Sequence, residues 1–294
     1  MAKSTILRAM TQDGSARIHV INSTEIVNRA IEFHNTSPTA TAALGRLLTA
    51  GAMMGNMLKG EKNTISVKID GGGPSGAITV SADSVGNVRG YAVNPVVEIP
   101  LKPNGKLDVS GAVGNMGNLF VNKDLGMKEP YNGFVPIVTG EIAEDITSYY
   151  ATSEQIPTAC ALGVLVNPDL TVRRAGGYII QLLPAADDAV ITKLEENLSV
   201  ARPVTELLDA GQDIEEIVRN VLSGFETEVL YTEYPEYKCK CSRERIEGIL
   251  SGLSLEDLTE MAKDEKGTNV KCHFCNKDYN FTPEEIEKIK LKKN

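Results

Sequence analysis

The sequence predicts an α+β protein in three parts: an N-terminal domain of mixed sheets and helices, a helical linker region and a small C-terminal four-cysteine domain. A long helical pattern followed by several strand-like apolar runs indicates the first part. A strongly acidic segment with short helical patterns indicates the second, and two close cysteine pairs mark the third. The boundaries fall at residues 1–184, 185–234 and 235–294 of the 294-residue chain, which is long enough for more than one core.

One long helix is predicted in the N-terminal domain. Ser37 and Pro38 place a capping hydroxyl before a proline at the first helical position, which favours a helix that ends near Gly60. A shorter helix is predicted from Ser23. Apolar residues recur at helical spacing along the long helix: Leu44, Leu47, Leu48, Met54, Met57 and Leu58. The predicted strands are Thr64–Asp70, Ala77–Asp83, Val88–Val93, Phe134–Val138 and Tyr178–Leu183.

The linker region carries the whole net charge of the chain, which is −9. It has 12 acidic and 3 basic side chains, whereas the N-terminal domain has 15 of each and the C-terminal domain has 12 of each. Three short apolar stripes predict three helices, with Gly211 after the second, Asp213 as the cap of the third and Gly224 after it. Isolated helices of this length are marginal in water and their like charges repel, so we expect the linker to unfold first.

The C-terminal domain is predicted to contain helices that begin after Ser242, Ser254 and Thr282. Ser254 and Asp257 have the spacing of a capping box, and Thr282 precedes a proline at the first helical position. A domain of about 60 residues buries little apolar surface, so it often needs a crosslink to remain folded.

Four of the five cysteines form the pairs Cys239-x-Cys241 and Cys272-x-x-Cys275, with 30 residues between the pairs. Two such pairs can complete a tetrahedral shell of four sulfurs, which is the usual geometry of structural zinc. The C-terminal domain is therefore predicted to be a zinc domain. Nearby cations are expected to offset the formal negative charge of a zinc–tetrathiolate centre: Lys238, Lys240, Arg243 and Lys271.

The spacing of the cysteines does not distinguish between two roles for their thiolates. Structural zinc contributes about 10–16 kcal/mol in small zinc peptides, so the site can be a permanent structural staple. Thiolates are also oxidised, and an oxidant that consumes them removes the metal, so the site can instead be a redox switch. Either zinc or a disulfide can join the two sulfurs of the Cys-x-Cys pair.

Four other features have ordinary structural interpretations. Gly71–Gly76 matches a dinucleotide-binding pattern, but a strand rather than a helix is predicted after it, so we interpret it as a turn. His273 is interpreted as a non-ligand because four sulfurs already complete the shell. Cys160 lies in an apolar strand-like run and is interpreted as a buried, unreactive thiol. Three close carboxylates are interpreted as first-turn residues of a helix rather than an acid–base site: Glu141, Glu144 and Asp145.

Several classes of protein are disfavoured. No apolar run approaches the roughly 18–20 residues of a membrane span, and the N-terminus has no apolar signal core, so a cytoplasmic protein with no membrane partner is expected. The flanking domains are formally neutral and offer no basic face for nucleic acid. With only three histidines, no nucleophile–histidine–carboxylate set suggests itself, and the chain is not expected to be an enzyme.

Over nearly its whole length the chain resembles the thirty-three-kilodalton heat-shock protein family, the redox-regulated holdase chaperones of bacteria. The two cysteine pairs and the spacer between them carry the likeness at the C-terminus. The other motifs that carry it are Gly71–Gly76, Val88-Arg89-Gly90-Tyr91, Asn94-Pro95, Gly140–Asp145, Ser153-Glu154-Gln155 and Ala175-Gly176-Gly177-Tyr178.

The resemblance implies an inactive, reduced form in which one zinc ion is bound by Cys239, Cys241, Cys272 and Cys275. Oxidation would join Cys239 to Cys241 and Cys272 to Cys275, zinc would leave, and the zinc domain and the linker would unfold. The protein would then hold unfolding client proteins without ATP, as a homodimer, and prevent their aggregation under oxidative stress. The N-terminal domain would bind clients and dimerise.

Two rival functions belong to other classes. The first is a constitutive structural-zinc module that binds a fixed protein partner, and the second is a thiol oxidoreductase that uses the Cys-x-x-Cys pair. Client binding that depends on the redox state of the thiols would distinguish the chaperone from the first rival. Turnover of a disulfide substrate would be needed to support the second.

Overall fold

The chain divides between Lys238 and Cys239 into two units, and the computed structural model describes residues 3–292. In chain order the elements of the first unit are β1 (Thr5–Thr11), β2 (Ala16–Asn22), α1 (Thr24–His34), α2 (Pro38–Asn56), β3 (Thr64–Asp70), β4 (Ile78–Asp83), β5 (Val88–Ala92), α3 (Val109–Val113), β6 (Asn118–Asp124), β7 (Tyr131–Pro136), α4 (Ala143–Tyr149), a π-helical turn (Tyr150–Glu154), β8 (Thr158–Val166), β9 (Val172–Leu182), α5 (Asp188–Val200), α6 (Val204–Asp209), α7 (Ile214–Val221) and β10 (Thr227–Glu233). The second unit contains α8 (Arg243–Leu250), α9 (Leu255–Met261), β11 (Thr268–Lys271), β12 (Asp278–Phe281) and α10 (Pro283–Leu291). The predicted α+β class is confirmed.

Two five-stranded antiparallel sheets form the framework of the first unit. We call them sheet A, with the strand order β10-β1-β2-β9-β8, and sheet B, with the order β5-β4-β3-β6-β7. Helix α2 contacts strands of both sheets, so it lies between them. Nearly every side chain of α2 is buried, as expected for a helix that is apolar on all sides.

Glycines in α2 allow the sheets to approach it closely. A methyl group at Gly51 would lie 2.8 Å from a methyl carbon of Val80, and one at Gly55 would lie 2.5 Å from the carbonyl oxygen of Asp83. Both distances are below van der Waals contact. The glycines that lower helix propensity are therefore required by packing in the core.

Helices α5, α6 and α7 cover the other face of sheet A. Strands β1, β2 and β9 present six buried side chains to them: Leu7, Ala9, Ile18, Val20, Tyr178 and Ile180. The helices bury Leu194, Val204, Leu207, Leu208, Ile214, Ile217, Val218, Val221 and Leu222 against that face. We call this second core the linker cluster. The acidic helices therefore keep a large apolar sheet surface away from water.

The local chemistry of the linker helices agrees with the sequence prediction. The side chain of Asp213 accepts a hydrogen bond of 2.8 Å from the backbone N–H of Glu216, whose carboxylate accepts one from Asp213 in return. Polar contacts also tie these helices down. The amide of Asn197 donates to the carbonyl oxygens of Val221 and Ser223, and Arg173 pairs with Asp209 at 2.6 Å.

Several elements differ from the prediction. The long helix ends at Asn56 rather than near Gly60. The hairpin of β1 and β2 was not predicted, and residues 227–233 at the end of the acidic region form β10. Strand β10 pairs with β1, more than 200 residues away in the chain, so its conformation depends on a partner that local patterns do not reveal.

Candidate metal centre

A tight turn between β11 and β12 presents the second cysteine pair. The backbone N–H of Cys272 donates to the carbonyl oxygen of Lys277 at 2.9 Å, and the N–H of Asn276 donates back to the carbonyl oxygen of Cys272 at 2.8 Å. Asn276 has a φ of 56°, in the left-handed region that asparagine tolerates better than most residues. The turn therefore folds Cys272 and Cys275 towards one point.

The first pair lies in the segment directly before α8. Ser242 follows Cys241 and caps this helix, because its hydroxyl accepts a hydrogen bond from the N–H of Arg245 at 3.2 Å. The cap fixes where the extended segment ends and the helix begins. Cys239 and Cys241 therefore enter the site from a defined helix terminus.

The four paired cysteines converge. Their sulfurs all lie within 4.8 Å of one another, with 3.7 Å between Cys239 and Cys272 and 3.4 Å between Cys241 and Cys275. A tetrahedral zinc ion with Zn–S bonds of about 2.3 Å places its sulfurs about 3.8 Å apart, so this set of donors fits a tetrahedral metal ion. All four thiols are free of disulfide bonds.

The cluster is part of the small core of the second unit. Cys272 is only 8% exposed, and the other three cysteines are partly buried against the same core. Its other buried members are Ile246, Leu250, Leu258, Tyr279, Phe281, Ile286 and Ile289. Because so few apolar residues hold this unit together, its folding and the geometry of the sulfurs depend on each other.

Three of the four cysteines, Cys239, Cys241 and Cys275, have thiols whose pKa values are shifted in different directions. Burial would raise the pKa of Cys241, but hydrogen bonds from the Tyr279 hydroxyl and from the other sulfurs outweigh it and lower that pKa to about 7. Burial raises the pKa of Cys239, and it raises that of Cys275 to about 11. Cys241 is therefore the first of these three thiols to become a thiolate, the form that binds metal and reacts with oxidants.

Tyr279 is a site residue that the sequence analysis missed. Its hydroxyl donates to the sulfur of Cys241 at 3.1 Å, a contact that orients this sulfur and stabilises its charge. Its position in β12, four residues after Cys275, could have indicated it, because a strand after the turn returns past the sulfurs.

Two of the cations expected near the sulfurs have other partners. Arg243 pairs with Glu285 at 2.7 Å, donates to the carbonyl oxygen of Asn280 and lies over the ring of Phe281. It thus ties α8, β12 and α10 together. Lys238 pairs with Glu236 at 3.3 Å.

The remaining sequence candidates lie outside the cluster. His273 is exposed and is not part of the group of four that could hold a metal. Cys160 lies in β8 of the first unit, where burial raises its pKa and makes the thiol less reactive. Gly71–Gly76 connects β3 to β4, which confirms the interpretation as a turn between strands.

Of the three close carboxylates, Glu144 and Asp145 lie in the first turn of α4 as predicted, whereas Glu141 precedes the helix. Fully buried Asp145 accepts hydrogen bonds from the backbone N–H groups of Val138, Thr139, Gly140 and Ile142, and so it organises the start of α4. Glu141 pairs with Arg46 at 2.6 Å and with Lys102. Burial would raise the pKa of Glu141, but the hydrogen bonds from Lys102 and Arg46 outweigh burial and lower the pKa to about 2.

Because its pKa falls on folding, Glu141 should stabilise the protein above pH 4.5 and lose this effect as the pH falls towards 2. Glu141→Gln should therefore lower the free energy of unfolding at pH 7 by on the order of 2 kcal/mol. The difference in unfolding free energy between wild type and variant should be smaller at pH 3. Urea unfolding of both proteins at pH 7 and pH 3 measures this difference.

Glu144→Gln is the matched control, because Glu144 makes no ion pair within residues 3–292. It should change the unfolding free energy little at either pH. A cost of Glu141→Gln that stays the same from pH 7 to pH 3 would contradict a role for the ionised carboxylate.

Comparison with known proteins places the chain in a family. The family model described as "Hsp33 protein" matches residues 4–282. The chain belongs to the Hsp33 family. It is 50% identical over 289 residues to the 33 kDa chaperonin of Lachnoclostridium phytofermentans, covering 98% of this chain and 99% of that relative. It is 48% identical over 285 residues to the 33 kDa chaperonin of Clostridium perfringens strain SM101, covering 97% of this chain and 90% of that relative.

A solved structure agrees with this placement. The crystal structure of the 33 kDa chaperonin (heat shock protein 33 homolog) of Thermotoga maritima matches with a TM-score of 0.90 and 34% sequence identity, over 99% of each chain. The resemblance seen in the sequence is thereby confirmed. The Hsp33 proteins are chaperones rather than enzymes, in agreement with the prediction. None of the described helices is long and apolar enough to cross a membrane.

Proposed function

We propose that this Hsp33 protein is a redox-regulated holdase that works without ATP. It is inactive when reduced and zinc-bound, and oxidation activates it to keep unfolding proteins from aggregating. The observation that carries the proposal is the convergence of four sulfurs within 4.8 Å inside the small core of the second unit. A change in the chemistry of these sulfurs must act on the folding of the unit that contains them.

Zinc is the metal we assign to the site. Cys239, Cys241, Cys272 and Cys275 would hold one ion, and an all-sulfur tetrahedral donor set is typical of zinc or of iron–sulfur centres. When bound, the ion supplies a crosslink between the segment before α8 and the β11–β12 turn. The distances of 3.4 and 3.7 Å between sulfurs support this assignment.

Oxidation by a peroxide would convert the four thiolates into two disulfides. In each pair two thiolates lose two electrons and form one S–S bond, while one peroxide molecule takes up those electrons and two protons and becomes two water molecules. The family resemblance assigns the bonds Cys239–Cys241 and Cys272–Cys275. The sulfurs then no longer serve as thiolate donors, and the unit loses its crosslink.

The linker cluster suggests what activation exposes. Residues 185–234 are the proposed linker, residues 1–184 the client-binding and dimerisation domain, and residues 235–294 the redox switch. When the switch domain and the linker unfold, the apolar face of sheet A under α5, α6 and α7 becomes accessible. The charge of the released linker, with 12 acidic and 3 basic side chains, would keep a complex with an apolar client in solution.

This surface suits unfolded or partly unfolded proteins as clients. The family resemblance implies that the active oxidised form is a homodimer. Nucleic acid and membranes are not proposed as partners, because the charge outside the linker is balanced. We assign the protein to the cytoplasm, where reduced thiols are the resting state and oxidation is a stress.

Light scattering from a chemically unfolded client diluted into buffer tests the proposal. Protein pretreated with peroxide under mild heat should suppress the scattering, whereas reduced, zinc-loaded protein should not. Suppression by the oxidised sample should disappear when a thiol reductant and zinc are restored before the client is added. The redox state of the four thiols should follow the same course by mass spectrometry.

Two outcomes would contradict the redox-regulated holdase. If neither sample suppresses scattering, the cysteines are a structural staple, and the rival function as a constitutive zinc-dependent interaction module is favoured. If both samples suppress it equally, the protein is a chaperone but oxidation does not regulate it.

A further inference from the structure

A row of cationic side chains crosses the face of sheet A that is turned away from the linker cluster. Arg8 of β1 lies opposite His19 of β2 and opposite Tyr231 of β10. Arg17 is two residues before His19, so it shares this face and is a diagonal neighbour of Arg8. Diagonal neighbours in a sheet are about 7–8 Å apart, within reach of each other for side chains as long as arginine.

His19 is buried and lacks a hydrogen-bond partner within residues 3–292. It is 1% exposed, and neither of its ring nitrogens is paired with any atom of that range. A buried polar group without a partner costs free energy, and imidazole has two such atoms here. Both ring nitrogens are closed to solvent, so the ring is a buried neighbour of Arg8 rather than a donor within reach of a bound molecule.

The arginines have no counter-ion in the described part of the chain. The Nε of Arg8 is buried without a partner, and its guanidinium lies over the ring of Tyr231, 5.6 Å from the centroid. Among the described residues, Arg17 donates only to the neutral amide oxygen of Gln181, at 3.0 and 2.7 Å. Glu228 of β10 lies opposite Met10 of β1. Its side chain is exposed, and within the described residues it forms no ion pair with either arginine.

The electrostatics agree with an uncompensated positive site. Burial lowers the pKa of His19 to about 3, and the charges of Arg8 and Arg17 lower it further. Burial also lowers the pKa of Arg17, and the charge of Arg8 adds to this effect. Like charges held together in a partly desolvated place destabilise a fold unless an anion binds among them.

We propose that Arg8 and Arg17, beside the buried ring of His19, form a binding site for a phosphate group. Guanidinium groups bind phosphate through paired N–H···O hydrogen bonds, and two of them at a diagonal spacing can share one tetrahedral anion. The His19 ring lies directly beside Arg8 across the β1–β2 pair, so a phosphate bound by the arginines would alter the charge that this ring experiences. Phosphate fits better than a carboxylate, because a tetrahedral dianion offers more acceptor oxygens and more negative charge to the two guanidinium groups.

This site is independent of the redox switch, since it lies in the first unit and includes none of the cysteines. Two sources could supply the phosphate group: free inorganic phosphate or a chain of linked phosphates. A chain of linked phosphates would place a second phosphate outside the site, where it adds negative charge but contacts fewer of these residues. The binding affinities of the two ligands therefore distinguish the two sources.

Calorimetric titration of the reduced, zinc-loaded full chain with inorganic phosphate and with tripolyphosphate tests the proposal at constant ionic strength. We expect saturable binding of phosphate, and a loss of at least about tenfold in affinity in Arg8→Gln and in Arg17→Gln, since each removes charged hydrogen bonds. Arg29→Gln is the matched control, because exposed Arg29 pairs with Glu32 on α1, and it should bind as wild type does. Tighter binding of tripolyphosphate would indicate a phosphate chain as the ligand, and equal binding would indicate free phosphate.

A second measurement keeps the test valid if either arginine variant fails to fold. In wild-type protein, the NMR resonances of the His19 ring should shift on addition of phosphate and should stay in place with sodium chloride of the same ionic strength. Unchanged His19 resonances would overturn the proposal. Equal phosphate affinity in wild type and in folded Arg8→Gln and Arg17→Gln would overturn it too.

Discussion

Replacement of Cys272 by serine should abolish tight zinc binding and unfold the second unit of the reduced protein. Cys272 is one of four converging sulfurs, and it is also a buried member of the small core. Structural zinc contributes about 10–16 kcal/mol in small zinc peptides, which exceeds what a core of this size supplies by itself. Zinc content by atomic absorption and amide exchange in β11, β12 and α10 would measure both effects.

Cys160→Ser is the matched control for this substitution. It removes one thiol of the first unit, which is not among the four converging sulfurs, so zinc content and amide protection of the second unit should stay as in wild type. If the holdase proposal is correct, reduced Cys272→Ser should also suppress client scattering without peroxide, and reduced Cys160→Ser should not. A Cys272→Ser protein that retains one zinc ion and a protected α10 would show that this cysteine is not required for the metal centre.

Replacement of Ile217 by aspartate should release the linker helices while the proposed zinc centre stays intact. Ile217 is 0% exposed in α7, where it packs within the linker cluster against sheet A. Removing a large apolar side chain from a core costs about 2–5 kcal/mol, and an unpaired carboxylate in the same place costs more. Short helices with few other anchors cannot absorb this loss, so α5, α6 and α7 should detach together.

The expected result is a reduced protein with normal zinc content that already suppresses client aggregation. Amide exchange of residues 188–221 should become fast, and light scattering with a denatured client should fall without peroxide. Val200→Asp makes the same change of charge at the end of α5, where the side chain is 79% exposed, so this control should stay inactive when reduced. If Ile217→Asp exposes the linker amides but does not hold clients, the apolar face beneath the linker is not the surface that clients bind.

Features that depend on nearby residues were predicted well. Strand β3 has the predicted bounds Thr64–Asp70, and helices begin directly after the predicted caps Asp213, Ser254 and Thr282. A cap forms a hydrogen bond with a backbone group two or three residues away, so its pattern is visible in a short stretch of sequence. The cysteine pairs are equally local, because each pair directs two sulfurs to one point.

Features that depend on distant residues were missed. Strand β10 exists because β1 offers it a hydrogen-bonding edge, and its own pattern did not distinguish it from the rest of the acidic region. Tyr279 contributes to the metal centre because the β11–β12 turn returns its strand past Cys241. The juxtaposition of Arg8 with His19 follows from the register of β1 and β2, which a shift by one residue would have destroyed.

By itself, the sequence determined the four-cysteine set, the starts of most helices, the acidic segment and the family of the chain. These properties are carried by residue identity and by short spacings. Only the tertiary structure decided that the acidic helices cover an apolar sheet face and that Tyr279 contacts a cysteine sulfur. It also decided that two arginines with no counter-ion among residues 3–292 lie close together on the opposite face of sheet A. The physical reason is that burial and strand register are set by contacts between segments far apart in the chain, which no local pattern encodes.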